Sequence, residues 1–243
     1  MKRMKRLLVA LSVATMAATP AAAQDKLEGT IGTDVVSSYI WRGQKAGNFS
    51  LQPTAGISYK GLSLGAWGSF AIVPSSTYQG TDEELDITLG YETGGFHVGI
   101  TDYYFYNCGH PFFKYGGLGR TAHTFEGNVG YDFGFLSVNW FTNFAGNDGT
   151  GSNGKRAYSS YLQLDAPFRL AGLDWTATLG AVPYRTDFYA YDDSDGFHIN
   201  QVALKAQYDI KLPHFTLPVF GQLIGNPSSR DLYYLVGFTI TAL

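Results

Sequence analysis

The feature that most constrains this chain is a strict alternation of apolar and polar residues, with no helical period anywhere after the first 23 residues. From Glu84, one face reads Leu85, Ile87, Leu89 and Tyr91 and the other Glu84, Asp86, Thr88 and Gly90. From Leu173, the faces are Leu173, Trp175, Ala177 and Leu179 against Asp174, Thr176, Thr178 and Gly180. Phe125, Val129 and Tyr131 oppose Thr124, Glu126 and Asn128, and Leu232, Tyr234, Val236, Phe238 and Ile240 carry the pattern to the end. Successive strand residues point to opposite faces, so each segment is a strand with one apolar and one polar side.

About twelve such strands are predicted, each roughly ten residues long, the length a tilted membrane strand needs. They start near Leu27, Leu51, Leu62, Glu84, Phe96, Ala122, Phe135, Tyr158, Leu173, His198, Thr216 and Asp231. Ten or fourteen strands are the alternatives. Short connections (Lys60-Gly61, Thr93 to Gly95, Asp132 to Gly134, Pro167 to Gly172, Lys211 to Phe215) alternate with long ones. The long ones run Arg42 to Ser50, Ala71 to Glu83, Asn107 to Thr121, Ala145 to Ala157, Pro183 to Phe197 and Gly225 to Arg230. That asymmetry predicts a transmembrane antiparallel up-and-down β-barrel with both termini on the short-turn, periplasmic side. A soluble β-sandwich also alternates, but gives no reason for it.

Aromatics gather at the predicted strand ends. Tyr59, Tyr91, Phe96, Tyr131, Phe135 and Tyr208 lie by the short turns; Tyr39, Trp41, Phe70, Tyr103 to Tyr106, Phe144, Tyr158 and Tyr233 lie by the long loops. Two interfacial belts are the expectation. Residues 1–23 read as a cleaved signal peptide: basic Lys2, Arg3, Lys5 and Arg6, an apolar stretch Leu7 to Ala18, and Ala21-Ala22-Ala23 before the cut. The barrel domain is then 24–243, placed in a Gram-negative outer membrane among outer-membrane lipids. Removing the leader leaves 13 basic and 20 acidic residues, a net charge of −7, which argues against nucleic acid. Cys108 is the sole cysteine, so neither a disulfide within the chain nor a thiolate metal centre can form.

The segment Val36-Ser37-Ser38-Tyr39-Ile40-Trp41-Arg42-Gly43 resembles the opening signature of the TorF-like porins, outer-membrane barrel proteins of largely unknown function. Ser38, Tyr39, Trp41, Arg42 and Gly43 carry the match, with Gln52-Pro53 where that family has a Pro and Gln pair. Further matches follow in order: Gly65 to Ser69 with Trp67 and Ser69, Glu84-Leu85-Asp86 with Gly90-Tyr91, Tyr103 to Tyr106, and Phe125-Glu126-Gly127. They cover about the first half of the chain after the leader. The resemblance implies a membrane barrel; it names no substrate and no catalytic residue.

With the apolar face toward lipid, the other face lines a lumen. Its predicted members are Glu84, Asp86, His97, Glu126, Asn128, Asn139, Gln163, Asp165, Asp174, Lys205 and Gln207. Acidic groups outnumber basic ones, which suits passive diffusion of small polar solutes or ions with weak cation preference. A lumen plugged by its own side chains is the alternative. Arg42 is expected either to reach inward to Glu84 or Asp86, as a guanidinium fork suits a carboxylate, or to sit solvated in its loop.

Enzymatic barrels need a histidine base beside a serine; Ser152-Asn153-Gly154 has Thr150 in the histidine position, so no enzyme is expected. No cofactor or metal is expected either: the five histidines lack ligand spacing, and Asp192-Asp193-Ser194-Asp195-Gly196 lacks the closing Glu of an EF-hand. The sequence leaves the oligomeric state open.

Overall fold

A computed structural model describes residues 26–72, 83–151, 153–189 and 196–241. The segment read as a leader, Ser152, the Asp192 to Asp195 group and most of the Ala71 to Glu83 connection lie outside the described residues. The strands are β1 (Glu28–Val36), β2 (Tyr39–Trp41), β3 (Gln44–Gly47), β4 (Ser50–Tyr59), β5 (Leu62–Ala71), β6 (Glu83–Thr93) and β7 (Phe96–Phe105). They continue as β8 (His123–Asp132), β9 (Ser137–Gly146), β10 (Ser160–Leu170), β11 (Leu173–Val182), β12 (His198–Lys211), β13 (Thr216–Asn226) and β14 (Asp231–Thr241).

Twelve of these strands, β1 and β4 to β14, close into an antiparallel up-and-down barrel in which β1 pairs with both β4 and β14. Closure leaves no free sheet edge around most of the ring. All twelve begin within two residues of the positions read from the alternation. The connection read as Pro167 to Gly172 is shorter than expected, because β10 runs through Pro167 and the chain turns at Ala171-Gly172.

The faces divide as the alternation requires. Leu64, Leu89, Ile100, Leu204 and Val236 point outward and are exposed, whereas Glu84, Asp86, Glu126, Gln163, Asp165 and Lys205 point inward and are buried. Apolar outside and polar inside inverts the order of a water-soluble fold. The aromatics by the short turns (Tyr59, Tyr91, Phe96, Tyr131, Phe135 and Tyr208) are all exposed on the outer surface.

The remaining pair, β2 and β3, forms a separate two-stranded sheet. It corrects the expectation that Arg42 to Ser50 is an ordinary outer loop. The same finding corrects two members of the expected upper belt: Tyr39 is buried and Trp41 half-buried in this hairpin. Tyr103, also assigned to that belt, is only 1% exposed because it faces the lumen. Phe70, Tyr106, Phe144 and Tyr158 do stand exposed near the long connections.

Candidate functional site: a hairpin fastened inside the barrel

Beyond Val36 the chain leaves the wall. Trp41 pairs with Gln44, so the turn consists of Arg42 and Gly43, with φ of 48° and 76°. Two consecutive positive φ values make the tight primed turn whose twist matches that of its flanking strands. Gly43 is obligatory for a second reason. A Cβ there would lie 1.9 Å from the Asn200 carbonyl oxygen.

The position of the hairpin follows from what it touches. Tyr39 packs on Trp67 of β5 at 5.4 Å between ring centroids, and Trp41 packs on Tyr103 of β7 at 6.0 Å. Arg42 reaches Glu126 of β8, Phe141 of β9 and Tyr161 of β10. Asn200 Nδ2 on β12 donates to the Arg42 carbonyl at 3.1 Å, and Asn226 Nδ2 on β13 donates to the Gly43 carbonyl at 3.0 Å. Only a segment inside the ring can meet the inward side chains of so many strands. Ile40 completes the attachment by packing against Ala203, Ile224 and Leu235 on the β12–β14 wall.

Arg42 is the fastening. Nη1 and Nη2 donate to the two carboxylate oxygens of Glu126 at 2.6 and 2.9 Å, a bidentate fork. Tyr103 donates to the same carboxylate at 2.8 Å, and Nη1 also donates to the Tyr189 hydroxyl. The guanidinium carbon lies 4.6, 4.1, 4.7 and 5.9 Å from the ring centroids of Trp41, Phe141, Tyr161 and Tyr189. Arg42 and Glu126 are each 2% exposed. A charge desolvated this far costs several kcal/mol unless paired, and the fork with its aromatic walls supplies the compensation. Burial holds the Tyr189 phenol well above its ordinary pKa, so it stays neutral beside the pair.

Loops hold the cage from above. Tyr189 arrives on the connection after β11, where Thr186 Oγ1 accepts from Ser159 Oγ at 2.9 Å. Asp148 accepts from Asn143 Nδ2, Gly149 N and Ser159 N at 3.1, 2.7 and 3.2 Å, tying the β9–β10 connection to the wall. On β11, Gly180 leaves room for Tyr161, since a Cβ would fall 1.8 Å from that hydroxyl. Tyr161 then donates to Gln201 Oε1 at 3.0 Å.

The inward residues read from the sequence fall into two groups. Glu126 takes Arg42, whereas Glu84 and Asp86, the partners expected for it, do not. Asp165 accepts from Gln163 Nε2 at 2.8 Å and Thr178 Oγ1 at 2.7 Å, and Lys205 Nζ lies 4.3 Å from the Phe220 ring centroid. Nearer the short turns, His97 contacts Asn139, and Asn128 lies against Gly99. Asp174 forms an exposed ion pair with Arg169 at 3.5 Å, beside Gln207 in register. His97, Asn128, Asn139, Asp174 and Gln207 are all partly exposed.

His97 and His123 meet no serine in their described hydrogen bonds. His123 Nδ1 pairs with Asp102 Oδ1 at 2.8 Å and its Nε2 with the Phe112 carbonyl. Tyr161, Phe141, Tyr189, Asn200 and Asn226 are not among the lumen-lining residues predicted from the alternation. Aromatics at inward parity (Trp67, Tyr103, Phe141 and Tyr161) were the signal that something apolar sits within.

Fold and site together define a class: a closed twelve-stranded β-barrel with its own hairpin locked in the lumen. The chain belongs to the Gcw_chp family, described as a bacterial protein of unknown function, whose family model matches residues 19–212. No curated protein matches the chain. The signature residues Ser38, Tyr39, Trp41, Arg42 and Gly43 make the hairpin or its approach, and Trp67 and Ser69 face inward on the opposing wall.

Proposed function

We propose that this protein is an outer-membrane, porin-like channel whose resting state is closed by the β2–β3 hairpin. The Arg42 cage carries the reading, because it ties the hairpin to strands on all sides of the lumen. A ring of about eight strands is filled by side chains alone, and one of sixteen or more leaves an aqueous channel. Twelve strands leave intermediate space, which the hairpin and Tyr189 occupy. The outward apolar face and the aromatics near the short turns support placement in a bilayer, as do the leader-like first 23 residues and the TorF-like signature.

With the hairpin displaced, Glu84, Asp86, Glu126 and Asp165 would line a path for small polar solutes, with weak cation preference. Arg42 would leave with the hairpin. The second reading is a permanently closed barrel with a structural or binding role, favoured by how completely Arg42 and Glu126 are buried.

Planar-bilayer recording separates the two, comparing the refolded wild type with a variant in which residues 38–48 are replaced by a short Gly/Ser linker. The channel reading expects near-silence from the wild type, and from the variant discrete salt-dependent conductance with a reversal potential toward the cation. A variant that folds, shown by heat-modifiable migration, yet never conducts would establish the closed reading.

A further inference from the structure

The hairpin's departure into the lumen leaves a mark on the wall. β1 pairs with β14 only from Gly32↔Thr241 to Val36↔Gly237. One more rung follows, with Ser37 N donating to the Val236 carbonyl at 2.9 Å and Val236 N to Ser37 Oγ at 3.0 Å. Above it, among the described residues, Asp231 to Leu235 pair with β13 on one side and with no barrel strand on the other. Five residues of strand amount to roughly 17 Å of edge outside the barrel ladder. Leu232 and Tyr234 on this edge are 69% and 80% exposed, against 47–51% for Leu64, Leu89 and Ile100 within the paired wall.

A cleft of about 360 Å³ opens here, lined by Ser37, Ser38, Ile40, Lys45, Leu232, Tyr233 and Tyr234. Behind it lies a lumenal cavity of about 20 Å³, room for about one water, bounded by Asp34, Gln52, Lys205 and Gln222 among others. Ser38 and Ile40 line both spaces, so the base of the hairpin is the partition between the outer surface and the lumen.

We infer that this cleft is a lateral binding site for a single-chain amphiphile with an anionic headgroup, a fatty carboxylate dissolved in the outer leaflet. The inference rests on the membrane reading above. Leu232, Tyr234 and Ile40 offer an apolar track for the chain, open sideways to the apolar outer face. Among the described residues, Lys45 is the one charged residue in the lining, which also includes Ser37 and Ser38 and holds no carboxylate. The volume falls at the lower end of small-molecule sites, which fits one chain rather than a multi-chain lipid. Because the partition is the hairpin base, an occupied cleft bears directly on the element that closes the lumen.

The test uses the refolded full barrel in phosphatidylcholine vesicles and a dodecanoic acid carrying a photoactivatable diazirine, with crosslinks mapped by peptide mass spectrometry. Labelling is expected to concentrate in Leu232 to Val236 and Ser37 to Lys45, and to be competed by unlabelled laurate. It should fall several-fold in Lys45→Gln and for the matching neutral alcohol probe. Tyr234→Ala, at an exposed position, should weaken capture without disturbing heat-modifiable migration. Labelling spread evenly over all outward strands would overturn the site while leaving the membrane placement intact. Absence of labelling from every outward strand would overturn the membrane placement itself. Equal capture by acid and alcohol, or an unchanged Lys45→Gln, would remove the anionic headgroup from the proposal.

Discussion

The two ends of the lumen are built differently. Near the short turns the inward residues are small or polar (Ser63, Thr88, Thr101, His97, Asn139) and partly exposed, contacting one another across neighbouring strands. Near the long connections, Glu84, Glu126, Tyr161, Asn200 and Asn226 are buried around a segment that is not part of the wall. The first region needs only strand geometry. The second needs a specific insertion, so its residues are coupled and a single change there should propagate through the cage.

The largest effect is expected from Arg42→Ala. It leaves Glu126 buried without its cation, which costs about 3–5 kcal/mol and should appear as a lowered urea midpoint of the refolded barrel. Arg42→Lys should recover only part of that loss, because an ammonium cannot make the fork. Next comes Gly43→Ala, where a left-handed φ costs ~1–2 kcal/mol before the collision with the Asn200 carbonyl is added. Trypsin cleavage after Arg42 or Lys45, suppressed in the wild type, should become readily detectable. Gly180→Ala displaces the Tyr161 ring and should cost ~1–3 kcal/mol, the range for an overpacked interior, again read by urea unfolding. At the other end, Asp174→Asn breaks only an exposed ion pair and should shift stability by less than ~0.5 kcal/mol. A loss there as large as that of Arg42→Ala would erase the distinction between the two regions.

The wall was legible because period two is a local property: Leu85, Ile87 and Leu89 announce their face within five residues. Lys60-Gly61 is equally local, a two-residue turn with φ of 49° and 84°. The hairpin was not legible. Its four- and three-residue strands carry too little alternation, and Arg42-Gly43 lacks the Asn or Asp that usually opens such a turn. Reading Arg42 as able to reach inward was sound chemistry, but the choice of Glu126 over Glu84 or Asp86 depends on how deep the hairpin descends. That depth is set by Asn200 and Asn226, more than 150 residues away in sequence. Ala203, Ile224 and Leu235 offered a quieter clue, as apolar residues at inward positions of three adjacent strands.

The central claim is that the Arg42–Glu126 pair holds the hairpin in the lumen. It is tested most directly by the open probability of the wild type, Arg42→Ala, Glu126→Gln and the double variant, recorded in the same planar bilayer. The account predicts a nearly silent wild type, frequent openings in each single variant, and little further increase in the double, since either change alone releases the same contact. A wild type that conducts as freely as the single variants would contradict it.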